Sequence, residues 1–280
     1  MELGSLKNWI GRTMDADDIV TPRLDAEFRA TFAPLLATTT SGNVGLGLHW
    51  CLVPAIEPMD ALGQDGHPRT GGFLPPVPLP RRMWAGGEVE IIGALRVGDT
   101  VKRLSRIGDI SQKSGRSGAL CFVAVHHDYE TERGLAIRER HDIVYRDAPN
   151  RSEPTRPPET VPPRKADLTW TVEPTTTFLF RYSAMTFNGH RIHYDPAYTT
   201  QVEGYEGLVV HGPIQATLLL NLAATMLRRV PAKFSYRGMS PLFAGSAVNV
   251  CGVRVHGDRV ECWTTNADGR IGMEAVAEST

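Results

Sequence analysis

Cysteine is scarce. Four residues, Cys51, Cys121, Cys251 and Cys262, are spread over a chain of 280. No two form a C-x-x-C pair, and none stands at zinc-ligand spacing to a histidine pair. That excludes a disulfide-stapled scaffold and a zinc ribbon, and the thiols are expected to be reduced and buried in a cytosolic protein. An excess of one charge is also missing. Thirty Lys and Arg face 31 Asp and Glu, for a net charge of −1, so no basic surface for nucleic acid is expected. Long apolar runs are absent. The longest, residues 214–226, is broken by Gln215, Thr217, Asn221 and Thr225, and it falls short of the roughly 18 residues that span a bilayer. The opening MELGSLKNWIGRTMDADD has no basic stretch followed by an apolar one, so no secretory leader is expected.

What is present is core-forming material. The hydrophobic fraction is 41%, enough for one large domain or two of ordinary size. Residues 5–37 read as partly helical, with Pro22 near a helix start and Pro34 near an end. Residues 54–80 are rich in Pro and Gly and read as a long surface loop, a class that is usually functional or mobile. From Met83 the texture becomes alternating. Residues 88–92, 100–104, 119–129 and 137–145 are expected strands of an antiparallel sheet, separated by turns such as Gly98-Asp99. Residues 147–166, with six prolines and many charges, form a linker. It divides the chain into residues 1–146 and 167–280. The second part restarts with strand 168–172. A buried helix follows over 214–228, with Pro213 near its start, where a missing N–H costs nothing. Strands are expected at 233–237, 247–254, 260–265 and 273–277. The halves share a layout: matching Gly98 to Gly245 also matches Leu95 to Leu242 and Val101 to Val248, the pattern of a duplicated sheet unit.

The segment richest in chemistry is residues 182–217, YSAMTFNGHRIHYDPAYTTQVEGYEGLVVHGPIQAT. It gathers Asn188, His190, His193, Asp195 and His211 among four glycines. Histidine exchanges protons near neutral pH. The His211-Gly212-Pro213 turn at a helix start leaves backbone N–H groups free at the positive end of the helix dipole. Such a turn can hold a carbonyl oxygen that becomes negative in a transition state. A base, a polar residue to hold water and an oxyanion site are the parts of proton chemistry beside a thioester carbonyl. Bland uses stand beside these. Loop histidines often serve turns, Asp195 can cap the turn after it, and Tyr182, Tyr194 and Tyr205 can be packing residues. Arg181, Arg191 and Arg237 can be solvated or can bind a phosphate or carboxylate. No H-E-x-x-H or comparable helical pair is present, so no metal site is expected.

The same segment resembles the signature of MaoC-like hydratases and dehydratases. In these the pattern Ser-Gly-Asp-x-Asn-Pro-x-His-x-Asp-Pro is followed some fifteen residues later by Gly-x-x-x-His-Gly. Here Thr186-Phe187-Asn188-Gly189-His190-Arg191-Ile192-His193-Tyr194-Asp195-Pro196 is followed by Gly207-Leu208-Val209-Val210-His211-Gly212. The resemblance implies an α+β double hotdog, two curved antiparallel sheets each wrapped around a long helix, with residues 1–146 as a degenerate copy and 167–280 as the catalytic one. It implies a site in which His193 carries protons, Gly212 donates to an oxyanion and Asn188 holds water. His190, Arg191, His211, Pro213 and Arg237 are the implied substrate-binding residues. Asn188 departs from the usual Asp, and an amide cannot carry a proton. The F-N-G-H-R-I-H-Y-D run is similar to a subgroup that includes mitochondrial-type 3-hydroxyacyl-thioester dehydratases and itaconyl-CoA and mesaconyl-CoA hydratases. The implied activity is water addition to an enoyl-CoA, with the coenzyme A thioester as substrate and no cofactor, in a cytoplasmic homodimer. The alternatives are dehydration of a 3-hydroxyacyl-ACP or -CoA, thioester hydrolysis, and acyl-thioester binding without catalysis.

Overall fold

The computed structural model describes residues 3–115, 118–147 and 164–279. Period-two burial sets its strands. In β4 (Gly118–Thr131), Cys121, Val123, Val125, His127 and Tyr129 all turn to one buried face, as a pleated strand requires. β2 (Arg81–Ile91), β3 (Thr100–Gly115) and β5 (Gly134–Arg146) flank it. The second set is β6 (Leu168–Val172), β7 (Lys233–Gly238), β8 (Val248–His256), β9 (Arg259–Asn266) and β10 (Ile271–Glu278). One strand was not expected: β1 (Thr13–Ile19), on the edge of the sheet against β3. Its three aspartates hide it from a hydrophobic reading, and charge is a common feature of exposed edges. It lies between α1 (Leu3–Leu6) and α2 (Pro22–Phe32). α2 starts where Thr21 Oγ1 accepts the Leu24 N–H at 3.1 Å, and it buries Phe28 and Phe32.

All ten strands join one antiparallel sheet in the order β1-β3-β4-β5-β2-β7-β10-β9-β8-β6. Read inward from either edge, both halves have the same connectivity, and they meet at β2 and β7, where Val89 faces Phe234 and Gly86 faces Arg237. The duplication seen in the sequence is therefore real topology. Gly98 and Gly245 both have positive φ in the turns before β3 and β8, and Leu95, Leu242, Val101 and Val248 are all buried.

The two halves differ in what fills them. α4 (Gly212–Leu227) lies against every strand of the second half. Twelve of its sixteen residues are buried, so it is a central helix with no solvent face. Two of its buried polar residues are satisfied inside, while the Thr217 hydroxyl has no hydrogen-bond partner. Gln215 Oε1 accepts from Thr264 at 2.7 Å, and Asn221 donates to Leu46 O at 2.9 Å and accepts from Ala37 N at 3.0 Å. Among the described residues the first half has no counterpart of that length. Residues 44–53, with one 3-10 turn (Leu48–Cys51), lie in its place, and Leu48, Leu52 and Val53 share a core with Val89, Tyr129 and Ile137. The segment 54–80 is not only surface. Val77 is buried in a second core with Ile107, Val123 and Tyr145, and residues around Asp65 reach the other half. α3 (Thr176–Met185) leads into the histidine-rich segment. Most of the linker lies outside the described residues. All four cysteines are buried and free, and no helix among the described residues is long and apolar enough to cross a membrane.

Candidate active site

The loop after α3 places the chemistry. The Asn188 N–H bonds back to Ser183 O at 2.9 Å, and Asn188 Oδ1 accepts the His190 N–H at 2.9 Å. That turn aims His190 and His193 inward, and each is only 7% exposed. His193 Nδ1 lies 2.7 Å from Val209 O. A carbonyl can only accept, so Nδ1 carries the proton and Nε2 of the neutral ring is left as a free base. Burial holds the His193 pKa down to about 3, so the ring is neutral at ordinary pH, with Nε2 unprotonated. His211 stacks on it, with centroids 3.5 Å apart and planes 15° apart. Burial first, and the neighbouring His193 second, keep His211 neutral as well. His211 Nε2 is fixed by Ser183 Oγ at 2.9 Å.

His211 is also the residue before α4, and its side chain does not cap the helix. The first N–H groups of α4 are therefore free of side-chain capping, beside the His193 ring. Gly212 is required by contact rather than by torsion. A Cβ there would lie 2.4 Å from Trp84 Cε3, so the first half of the chain presses an indole against the helix start. Pro213 completes the turn without wasting a donor.

Sequence reading missed three participants. Asp65 and His67 come from the Pro/Gly-rich loop, and Trp84 from β2. His67 Nδ1 pairs with Asp65 Oδ2 at 2.9 Å, and its ring lies 3.9 Å from that of His190. The Asp65 carbonyl accepts the Arg191 N–H at 2.9 Å. Four imidazoles thus run in sequence, with His190 and His193 at 5.3 Å. Asp65, His67 and His190 present ligand atoms within 4.8 Å of one another, a trio that the spacing of histidines in the sequence did not suggest. Burial chiefly, and the positive charge of Arg82 to a lesser extent, hold down the pKa of both His67 and His190, and that charge disfavours a divalent cation there.

The arginines expected at the substrate are placed otherwise. Arg191 is bound to Asp195 at 2.7 Å and to Gln64 O at 3.1 Å, over the ring of Tyr198. It pins the two loops together. Asp195 Oδ1 accepts the Tyr198 N–H at 3.0 Å and so caps the next turn. Arg237 is exposed and follows buried Tyr236, so its side chain leaves the opposite face of β7 from the one lining the chamber. Arg181 is also exposed.

Comparison with known proteins agrees with this geometry. The family model of hydroxyacyl-thioester dehydratase type 2 matches residues 47–244. A mesaconyl-C(4)-CoA hydratase of Chloroflexus aurantiacus is 41% identical over 271 residues, 96% of each chain. Among solved structures, a MaoC-like dehydratase of Phytophthora capsici superposes with a TM-score of 0.69 at 16% identity, covering 100% of this chain and 99% of the other. A Mycobacterium tuberculosis protein described as a double hotdog superposes with a TM-score of 0.56 at 12% identity over 96% of each chain. The chain is an enzyme of the lyase type, and it belongs to the hydroxyacyl-thioester dehydratase type 2 family of MaoC-like double-hotdog proteins.

Proposed function

We propose that the enzyme adds water reversibly across the double bond of an enoyl-CoA, and that its acyl group is a short branched diacid, mesaconyl-CoA or itaconyl-CoA, giving citramalyl-CoA. The observation that carries the reaction is the pinned, neutral His193 beside the start of α4. With the thioester carbonyl of mesaconyl-CoA on the Gly212 N–H, the conjugated β-carbon becomes electrophilic; itaconyl-CoA, whose double bond is not conjugated with the thioester, enters this route only after a proton is moved from its α- to its γ-carbon. His193 Nε2 takes a proton from water, and the oxygen of that water bonds to the β-carbon. The π electrons move to the carbonyl oxygen, where the helix start stabilises the enolate. The imidazolium then returns its proton to the α-carbon, so one H and one OH are added and the base is regenerated. The amide of Asn188 binds water and transfers no proton.

The diacid reading is supported by the relative whose name gives mesaconyl-C(4)-CoA as its substrate. The second reading is dehydration of a 3-hydroxyacyl thioester by the same groups in reverse, which the family description favours. A screen of enoyl-CoAs, following loss of the conjugated thioester absorbance, separates the two. His193→Ala is expected to lower kcat by roughly 10²–10⁴-fold, and activity close to that of the parent enzyme would remove the mechanism.

A further inference from the structure

The inner face of the first-half sheet is polar where a core is expected. Directly paired residues share a face, and Ser105 pairs with His127, His127 with Glu139, and Arg103 with Tyr129. His141 lies two residues after Glu139 on the same face. Glu139 is 2% exposed, and its Oε1 accepts from Trp50 Nε1 at 2.9 Å and from the Tyr236 hydroxyl at 3.2 Å. Gly87 makes the second contact possible, since a Cβ there would lie 2.5 Å from the Tyr236 oxygen. His127 Nδ1 is held by Ser105 Oγ at 2.8 Å. Three buried nitrogens of the cluster have no partner: Arg103 Nε, His141 Nε2 and His49 Nε2. His49 is itself 2% exposed. A buried polar nitrogen left unpaired is costly, and the Arg103 Nε–H can only donate, so the cluster calls for an acceptor oxygen there.

The charge has a sign as well. Arg103 forms no ion pair within 4.0 Å among the described residues, and neither does Arg82. Arg82 pairs with Tyr145 across β2 and β5 and so faces the same side as His141. Two carboxylates lie in the field of these guanidiniums: Glu139, whose pKa burial raises, beside Arg103, and Asp65 beside Arg82. Both are already held by other donors, Glu139 by Trp50 and Tyr236 and Asp65 by His67. The cluster adjoins the start of α4 through Trp84, whose ring presses on Gly212 and lies 5.6 Å from that of His141. The Trp84 indole thus stands between Gly212 and the ring of His141.

We propose that this pocket binds the free carboxylate of the acyl group, with Arg103 as its anchor and Arg82 and His141 beside it. The enzyme then selects thioesters of short diacids over monoacids of the same length. The proposal rests on the hydration reading only for where the thioester lies. The test is a matched pair, fumaryl-CoA and crotonyl-CoA, which differ by a terminal carboxylate in place of a methyl. The parent enzyme is expected to favour fumaryl-CoA in kcat/KM. Arg103→Met is expected to lower the fumaryl-to-crotonyl ratio about 10–100-fold, the size of a lost charge-assisted pair, and Arg103→Lys to give an intermediate ratio. A ratio unchanged in Arg103→Met overturns the proposal, as does an equal loss on both substrates. If Arg103→Met does not fold, Arg82→Met is read in the same way. Calorimetric binding of succinyl-CoA and butyryl-CoA, which cannot be hydrated, keeps the two readings apart. Preference for succinyl-CoA that disappears in Arg103→Met supports the pocket even if hydration fails. No preference in the parent enzyme overturns it.

Discussion

Gly212→Ala tests whether the helix start must touch Trp84. The new Cβ would lie 2.4 Å from Trp84 Cε3 and 3.2 Å from Cζ3, whereas carbon contacts settle near 3.5–4.0 Å. Something must move by about 1 Å. Trp84 cannot simply retreat, because its ring lies 4.6 Å from that of Tyr236, 5.6 Å from His141 and 5.7 Å from Trp50. Overpacking of this kind is expected to lower stability by about 1–3 kcal/mol. The same displacement moves the Gly212 N–H off the carbonyl it must hold. A misplacement of about 1 Å can reduce rate by about 10²-fold, so kcat is expected to fall by that order with a smaller change in KM. Trp84→Leu removes the obstructing ring carbons, and adding it to Gly212→Ala should recover most of the lost stability and part of kcat. The measurements are urea midpoints and the decay of enoyl-thioester absorbance for the four members of the cycle. A Gly212→Ala enzyme with near-parental kcat refutes the reasoning, and so does strict additivity of the two changes.

Asn188→Asp keeps the acceptor for the His190 N–H but loses the NH₂ donor and sets a charge among neutral rings. It is expected to lower kcat at least about tenfold, and a variant as fast as the parent shows that the amide is not used. Stability should fall in acid. His49, His141 and His193 are held down to about 3, chiefly by burial, while their unfolded values lie near 6.5. The unfolded chain takes up protons below about pH 6.5 and the folded chain does not until near pH 3, so their contribution is complete above about pH 6.5 and shrinks as pH falls. Each is expected to lose on the order of 1 kcal/mol between pH 6.5 and 5.5, read as a lower urea midpoint. Equal midpoints at the two pH values contradict neutral burial.

Strands β2 through β10 were legible, at least in part, because alternation runs through them, and α4 because an apolar run follows Pro213. β1 was not, since Asp15, Asp17 and Asp18 interrupt its pattern. The site was legible where its parts are neighbours in sequence: Asn188, His190, His193 and His211 fall within one segment. Arg191 and Arg237 were expected at the substrate from residue type and motif position, and neither reveals that Arg191 is taken by Asp195 or that Arg237 leaves the other face of its strand. Asp65 and His67 are over a hundred residues from His190, and no periodicity says where a loop will settle. One signal could have found them: a long Pro/Gly-rich loop that carries an aspartate and a histidine, since loops of that length are often functional.

The asymmetry of the two halves follows from what α4 demands of its sheet. A helix buried on all sides needs apolar neighbours, and the second half supplies them in Val250, Val260, Cys262, Met273 and Ala275. Arg103, His127, Glu139 and His141 could not face such a helix without leaving charges and donors buried against hydrocarbon. In the first half, residues 44–53 stand in place of the helix, and they bring His49 and the Trp50 N–H to the polar face instead. Loss of the long helix and gain of a polar inner face are therefore one change. The second half keeps a helix whose N-terminus can stabilise an enolate. The first half, freed of that helix, can hold the other end of the acyl group, and Trp84 joins the two by touching both Gly212 and the cluster around His141.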